Sequence, residues 1–460
     1  MNRAGVHGKQ GIDDARSRAL SILNALDLGG RTLDSLLEEM DFKASLDPRD
    51  RAFLNTLVYG VLRWRGRLDE GIRRFSNIRL KKIDPKVLNI LRIGLFQILY
   101  LDRVPVSAAV NTSVEMTKSI AAPWVVKFVN AVMRKMAEKP SRTQEPPAAK
   151  PGATSLATEL SFPEWLVTRW VKRFGEAETR ALCEALNSIP PTTVRTNTLK
   201  WSREELKGEL AGDVSELWCT PYSAEGISFT GARQPIGRMS AFLAGGFQVQ
   251  DEGAQLTAHL LSPLPGETIL DACAGLGGKT GHLAQLMNNQ GRIIAMDVNG
   301  DKLHRLELEM QRLGITIVRT VQADLAGVPT FTSPALFDRI LLDAPCSGLG
   351  VIRRNPDTKW YFSEKELARC GQRQREFLGH LASKVKPGGL LMYVVCSTEP
   401  EENESVVEGF LSDHSDFKTE PYPCGPEMNA AFFTSGGFFR TLPHRDQMDG
   451  FFGARFRRTV

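Results

Sequence analysis

The chain has 460 residues, 42% of them hydrophobic and 24% charged, with a net charge of +5. That length is too great for one core and points to two or three domains, and the composition is ordinary for globular protein. The charge is uneven: residues 1–138 hold 23 Lys and Arg against 15 Asp and Glu, which makes the amino-terminal part the candidate for an anionic partner.

The first twenty residues are polar and lack the apolar core of a secretory signal. The most apolar run, Val87 to Leu101, is interrupted by Asn89, Arg92 and Gln97, so it reads as a buried helix rather than a membrane span. The seven cysteines are dispersed and no two lie within four residues, which argues against a zinc ribbon or a disulfide framework. The histidines are equally scattered, and no metal site is readable. These features lead us to expect a cytoplasmic protein with free thiols.

In chain order, residues 10–138 read as a succession of helices. Asp13 or Asp14 caps a first one, Ala15 to Leu28, with Leu20, Leu23 and Leu26 on helical spacing. Leu46-Asp47-Pro48 opens a second, with Phe53, Leu57 and Val61 on one face. Asp84-Pro85 supplies a cap and a first-turn proline for the Val87–Leu101 helix. Ser107 is expected to cap Ala108 to Ser119, and Pro123 starts a last helix reaching Lys135. Between Arg63 and Lys86 nine basic residues face three acidic ones, either a solvated face or a phosphate-contacting patch. Residues 139–158 are rich in Pro, Ala, Ser and Thr and read as a linker. Residues 159–245 read as a small α/β module, with helices at Pro163–Phe174 and Glu176–Asn187 and a strand at Thr192–Asn197. From residue 246, strand-like runs at Thr268–Leu270, Ile293–Met296, Ile315–Val321, Arg339–Leu342 and Leu390–Val395 alternate with helical patterns. That alternation predicts a Rossmann-like parallel sheet with helices on both faces.

The chemistry-bearing residues fall at the ends of these strands, where open α/β sheets bind their ligands. After the first strand comes Asp271-Ala-Cys273-Ala274-Gly275-Leu276-Gly277-Gly278-Lys279-Thr280, a loop suited to close approach of backbone to ligand. It is not a Walker A loop, because Cys273 stands where the first glycine is required, and its glycine spacing does not fit the dinucleotide pattern. The second strand ends in Asp297, able to bond ribose hydroxyls, and a third acidic end, Asp324, could bond an adenine amino group. Each alone could be a helix cap; three in order around a glycine loop fit S-adenosylmethionine, whose sulfonium prefers a negative rim. Two thiols then stand out, Cys346 after Asp343-Ala-Pro and Cys396 at the end of the Leu390–Val395 strand.

A methyl donor and two thiols suggest methylation of pyrimidine carbon 5. That carbon is a poor nucleophile until a thiolate adds to carbon 6 and turns the ring into an enamine. Residue chemistry alone leaves open which thiol attacks. Arg353, Arg354 and Lys359 follow the Pro-Cys motif and are candidates to clamp target phosphates. Glu399, Glu401, Glu402 and Glu404 read as a solvated helix start.

The segments DAPCSGLGVIRRNPD (343–357), VCSTEPEENE (395–404) and FQVQDEGAQL (247–256) resemble the signatures of RNA cytosine-C5 methyltransferases of the RsmB/Sun family. The helical amino-terminal part is similar to the NusB RNA-binding fold, and the likeness spans nearly the whole chain except the linker. The resemblance implies a NusB-like all-α domain (1–138), a linker (139–158), a small α/β module (159–245) and a Rossmann-like methyltransferase domain (246–460). It implies Cys396 as nucleophile, Cys346 as the thiol assisting product release, and S-adenosylmethionine contacts at Cys273–Lys279, Asp297, Asp324 and Asp343. The implied substrate is bacterial small-subunit rRNA with a flipped cytosine, acted on by a monomer without metal or membrane. One departure is visible: Gly275-Leu276 stands where the family loop usually has Ala-Pro. Two competing readings are an amine methylator, which needs no thiol, and a non-catalytic RNA-binding factor built on the helical part.

Overall fold

The computed structural model describes residues 15–43, 46–140, 152–327, 336–422 and 429–459. The expected cap at Asp13 or Asp14, most of the linker and Cys424 lie outside them. The chain forms two compact units, one of residues 1–187 with 355–361, the other of residues 188–354 with 362–460.

Among the described residues the regular structure of the first unit is all helical. Its helices are α1 (Ala15–Asp27), α2 (Leu33–Lys43), α3 (Pro48–Phe75), α4 (Pro85–Tyr100), α5 (Val106–Lys118), α6 (Pro123–Glu138), α7 (Ala153–Leu160), α8 (Glu164–Phe174) and α9 (Glu176–Asn187). Local chemistry sets their starts. Asp47 accepts the Asp50 amide at 2.8 Å, Asp84 accepts the Lys86 amide at 2.8 Å, and each is followed by a proline in the first turn. The expected Ser107 cap is not used; α5 begins two residues earlier, at Val106 after Pro105, without a side-chain cap. Leu57, Val61, Leu68 and Ile72 of α3 pack with Ile90, Leu91 and Ile93 of α4 in one core, each side chain contributing about 1.5–3 kcal/mol by leaving water.

Helix α7 begins inside the stretch read as linker, and α7 to α9 pack into the same compact unit as α1 to α6. Residues 355–361 return to the same unit. Lys359 donates to the Arg63 carbonyl (2.9 Å) and to Asn187 Oδ1 (3.0 Å), and Trp360 Nε1 donates to the Leu62 carbonyl at 2.6 Å. Of the nine basic residues, Arg63 is buried, Arg65 pairs with Asp27, and Arg73 and Arg74 pair with Glu70. Arg79, Lys81, Lys82 and Lys86, between α3 and the start of α4, are exposed.

The second unit carries two sheets. The smaller is antiparallel, built from β1 (Thr192–Thr196), β2 (Glu216–Cys219), β3 (Gly226–Thr230) and β4 (Phe247–Val249) in the order β2-β3-β1-β4. The larger holds β5 (Thr268–Asp271), β6 (Arg292–Asp297), β7 (Val318–Gln322), β8 (Phe337–Asp343), β9 (Val385–Val395), β10 (Phe417–Thr419), β11 (Phe439–Arg440) and β12 (Phe452–Arg458). Its main order is β10-β12-β9-β8-β5-β6-β7, with β11 paired to β12. Strands β5 to β9 are parallel, as expected. The sheet as a whole is mixed, because β12 runs antiparallel to β9 from Phe452↔Val395 to Arg457↔Leu390. The order reverses between β5 and β8, and open α/β sheets bind their ligands outside the carboxyl ends of the strands at such a switch point.

Candidate active site

The loop after β5 lies at that switch point. Gly275 (φ +55°) and Gly277 (φ +83°) take left-handed backbone that favours glycine, and a Cβ at Gly275 or Gly278 would meet nothing within 4 Å. The loop therefore borders open space at Gly275 and Gly278. Asp297, at the end of β6, accepts the Gly275 amide on one carboxylate oxygen and the Asn299 amide on the other, both at 2.9 Å. Each oxygen keeps a lone pair for a ribose hydroxyl. Leu276 is exposed, and so is Asp324, which accepts the Ala326 amide at 2.8 Å. The Cys273 thiol is pushed up by burial and by the carboxylates of Asp271, Asp343 and Asp297, so it remains protonated.

Asp271 lies beneath the loop, fully buried, accepting Thr280 Oγ1 at 2.7 Å on one oxygen while the other has no hydrogen-bond partner. Burial, with Asp343 and Asp297 adding, pushes it up to about 7. Lys279 donates to Asp343 Oδ2 at 2.7 Å and sits 5.3 Å from the Phe451 ring centre. Burial alone would lower its pKa, but Asp343, Cys396 and Asp271 raise it, and the ammonium is kept.

The two thiols meet. Adjacent strands β8 and β9 align Asp343 with Val394, and the turns beyond them bring Cys346 Sγ and Cys396 Sγ to 2.9 Å. Both cysteines are free. The hydrogen bond with Cys396 and then burial hold the Cys346 thiol well above its ordinary range. Its proton is retained.

Two groups of residues have surroundings different from those the sequence suggested. Arg353 is buried, bonding Asp449 (2.5 Å) and Asp251 (3.2 Å); Arg354 bonds Asp449 (2.6 Å) and Asp251 (2.7 Å). Lys359 is fully buried in the helical unit, and burial pushes it well below the usual lysine range. None of the three is a free surface cation, so the expected phosphate clamp is corrected: these side chains are committed to internal partners. The acidic run is corrected too, since Glu399 and Glu402 are buried, and Glu402 bonds both thiol-bearing turns.

Two further features were not legible. Arg195 on β1 is fully buried and donates to the Gly278 carbonyl (2.9 Å), Gln248 (2.8 Å) and Gln285 (3.2 Å), tying the small sheet to the glycine loop. Among the described residues Glu225, His259 and His282 come close enough to hold a metal, with His259 Nε2 at 3.1 Å from Glu225 Oε2. Burial, then Arg195 and His259, push His282 well below its ordinary range; the same arginine charge opposes a cation there.

The glycine loop after β5 and the acidic end of β6, at the switch point of a largely parallel sheet, place the chain among α/β proteins that bind a ligand at the carboxyl ends of their strands. The sequence matches the family described as 16S rRNA methyltransferase RsmB/F over residues 258–457, the NusB family over 13–138, and an RsmF/B-like ferredoxin-like domain over 162–235. It is 36% identical to probable ribosomal RNA small subunit methyltransferase B of Synechocystis sp., covering 96% of this chain and 99% of that one. It is 34% identical to the Bacillus subtilis protein of the same description, covering 96% and 98%. Among solved structures, that of PH0851 superposes with a TM-score of 0.81 at 29% identity, covering 97% of this chain and 99% of that one. A methyltransferase homolog from Pyrococcus horikoshii gives 0.58 at 30% identity, covering 67% and 100%. The chain belongs to the RsmB/F family of small-subunit rRNA methyltransferases.

Proposed function

We propose that the protein methylates carbon 5 of a cytosine in small-subunit rRNA, through a covalent adduct between Cys396 and carbon 6. The observation that carries this reading is the thiol pair at 2.9 Å beside the Lys279–Asp343 ion pair. S-adenosylmethionine would supply the methyl group when bound. Cys273 to Lys279 would cradle it by their backbone, Asp297 would bond its ribose, and Asp324 its adenine edge.

The remaining chemistry belongs to this chain. The Cys396 thiolate adds to carbon 6, and the electron pair displaced from the 5,6 double bond makes carbon 5 nucleophilic. Asp343, ion-paired with Lys279, would bond the cytosine ring, and Lys279 would offset negative charge there. After methyl transfer a base removes the hydrogen on carbon 5, the 5,6 double bond re-forms, and Cys396 leaves as thiolate; Cys346 assists this release. The base has to leave its stack to reach both sulfurs, so a single-stranded loop or bulge is the natural substrate. The exposed Arg79, Lys81, Lys82 and Lys86 are the candidates for sequence-blind phosphate contacts.

The test uses labelled S-adenosylmethionine and unmodified rRNA with wild type, Cys346→Ala and Cys396→Ala. Wild type should give 5-methylcytosine, Cys396→Ala none, and Cys346→Ala a trapped protein–RNA adduct. An adduct trapped by Cys396→Ala instead would reverse the thiol roles. Equal activity in all three would remove the thiol mechanism and favour an amine acceptor, whereas no transfer by any of them would favour a binding factor.

A further inference from the structure

We propose that Glu402 is a positioning residue that holds the two thiol-bearing turns in register and so sets the Cys346–Cys396 separation. The role rests on the thiol mechanism for its catalytic meaning, but its geometry stands independently. Glu402 ends the short turn Pro400–Glu402, and its side chain is completely buried.

One carboxylate oxygen accepts the Ser347 amide at 2.8 Å and Gln374 Nε2 at 3.0 Å. The other accepts the hydroxyls of Ser347 and Ser397, each at 2.5 Å. The two hydroxyl oxygens are 3.2 Å apart, and they accept the Leu349 and Glu399 amides respectively, which leaves their own hydrogens free for Glu402. Gln374 also donates to the Pro345 carbonyl at 3.0 Å, and the Tyr393 hydroxyl donates to the Glu402 carbonyl at 2.6 Å. Four donors converge on one buried carboxylate, the arrangement in which such bonds are strongest and most costly to lose.

Ser347 directly follows Cys346, and Ser397 directly follows Cys396. One carboxylate therefore joins two Cys-Ser dipeptides that lie fifty positions apart in the chain. Their hydroxyls meet on it as their sulfurs meet each other. Without it, the Pro-Cys turn and the Cys-Ser turn lose their shared acceptor. Displacements of about 1 Å at reacting groups cost about a hundredfold in rate.

The experiment compares wild type, Glu402→Gln and Ser397→Ala, all full length. The first readout is the rate at which a diazenedicarboxamide oxidant joins Cys346 to Cys396. Two thiols lose two hydrogens to form the disulfide while the diazene is reduced to the hydrazine, and the linked peptides are counted by mass spectrometry. The second is the split between kcat and KM for methyl transfer, and the third is cofactor binding. Glu402→Gln puts an amide NH2 where a hydroxyl needs an acceptor. It should slow cross-linking and kcat by about tenfold or more while KM and cofactor binding stay within about threefold. Ser397→Ala, which keeps the carboxylate, should slow cross-linking by a smaller factor and serves if the glutamine variant folds poorly. Wild-type cross-linking rates in both variants, even with a lowered Tm, would overturn the proposal and leave Glu402 a stabilising residue only. The cross-linking readout uses no RNA, so it stands whether or not cytosine proves to be the acceptor.

Discussion

Cys346 Sγ and Cys396 Sγ lie 2.9 Å apart because their strands, β8 and β9, are neighbours whose register pairs Asp343 with Val394. The contact holds the Cys346 proton. Removing Cys396 takes away the largest cause of that shift, leaving burial as the main one. We expect Cys346 in a Cys396→Ala variant to react faster with iodoacetamide between about pH 8 and 9 than it does in wild type, where thiolate is the reactive form. An unchanged pH profile at Cys346 would mean that the sulfur contact does not control its titration.

Asp271 predicts a pH dependence of stability. Folded, it holds its proton up to about 7, whereas its ordinary value is 3.8. Between those values the folded chain binds more protons than the unfolded one, so stability is full below the lower value and falls as pH rises through the higher. The loss is on the order of a few kcal/mol. Denaturant midpoints from pH 4 to 8 should fall more steeply for wild type than for Asp271→Asn; parallel curves would contradict the assignment.

Arg353 gives a prediction that separates structure from substrate binding. Arg353→Ala leaves Asp449 and Asp251 with only Arg354 as cation, and removal of one partner from a buried ion network costs about 3–5 kcal/mol. A lost phosphate contact would lower the salt dependence of RNA binding by about one unit of slope. We expect a large loss in chemical denaturation and an unchanged slope, measured below the variant's unfolding temperature.

Gly350 tests the fit of the two thiol turns. Its amide donates to the Cys396 carbonyl at 3.0 Å, and a Cβ there would lie 2.1 Å from the Gly450 carbonyl oxygen and 3.0 Å from that of Cys396. Backbone on both sides cannot give way locally. Gly350→Ala should reduce methyl transfer by about tenfold or more, on the same ångström-scale argument, while cofactor binding by the loop after β5 is retained. Normal turnover would show that the turn tolerates displacement.

What could be read from the sequence follows from where each signal lies. The ends of β5, β6, β8 and β9 were legible because an apolar run halts at Asp271, Asp297, Asp343 or Cys396, a local pattern. Glu402 was not. An acidic run beside a proline looks solvated, and its donors come from Ser347, Gln374 and Ser397 on three other segments. Arg353 and Arg354 misled for the same reason, since Asp251 and Asp449 lie about a hundred positions away on either side. The antiparallel β12 escaped notice because β9, not its own flanking sequence, specifies its pairing.

The return of residues 355–361 to the helical unit bears on how such a protein can be cut or recombined. Leu62, Arg63 and Asn187 find hydrogen-bond donors on Lys359 and Trp360, which are encoded far downstream. A fragment ending at residue 187 would take the helices and leave those donors behind. The helical unit is thus no detachable cassette: swapping it between relatives means transplanting a seven-residue insert from the other half of the gene along with it.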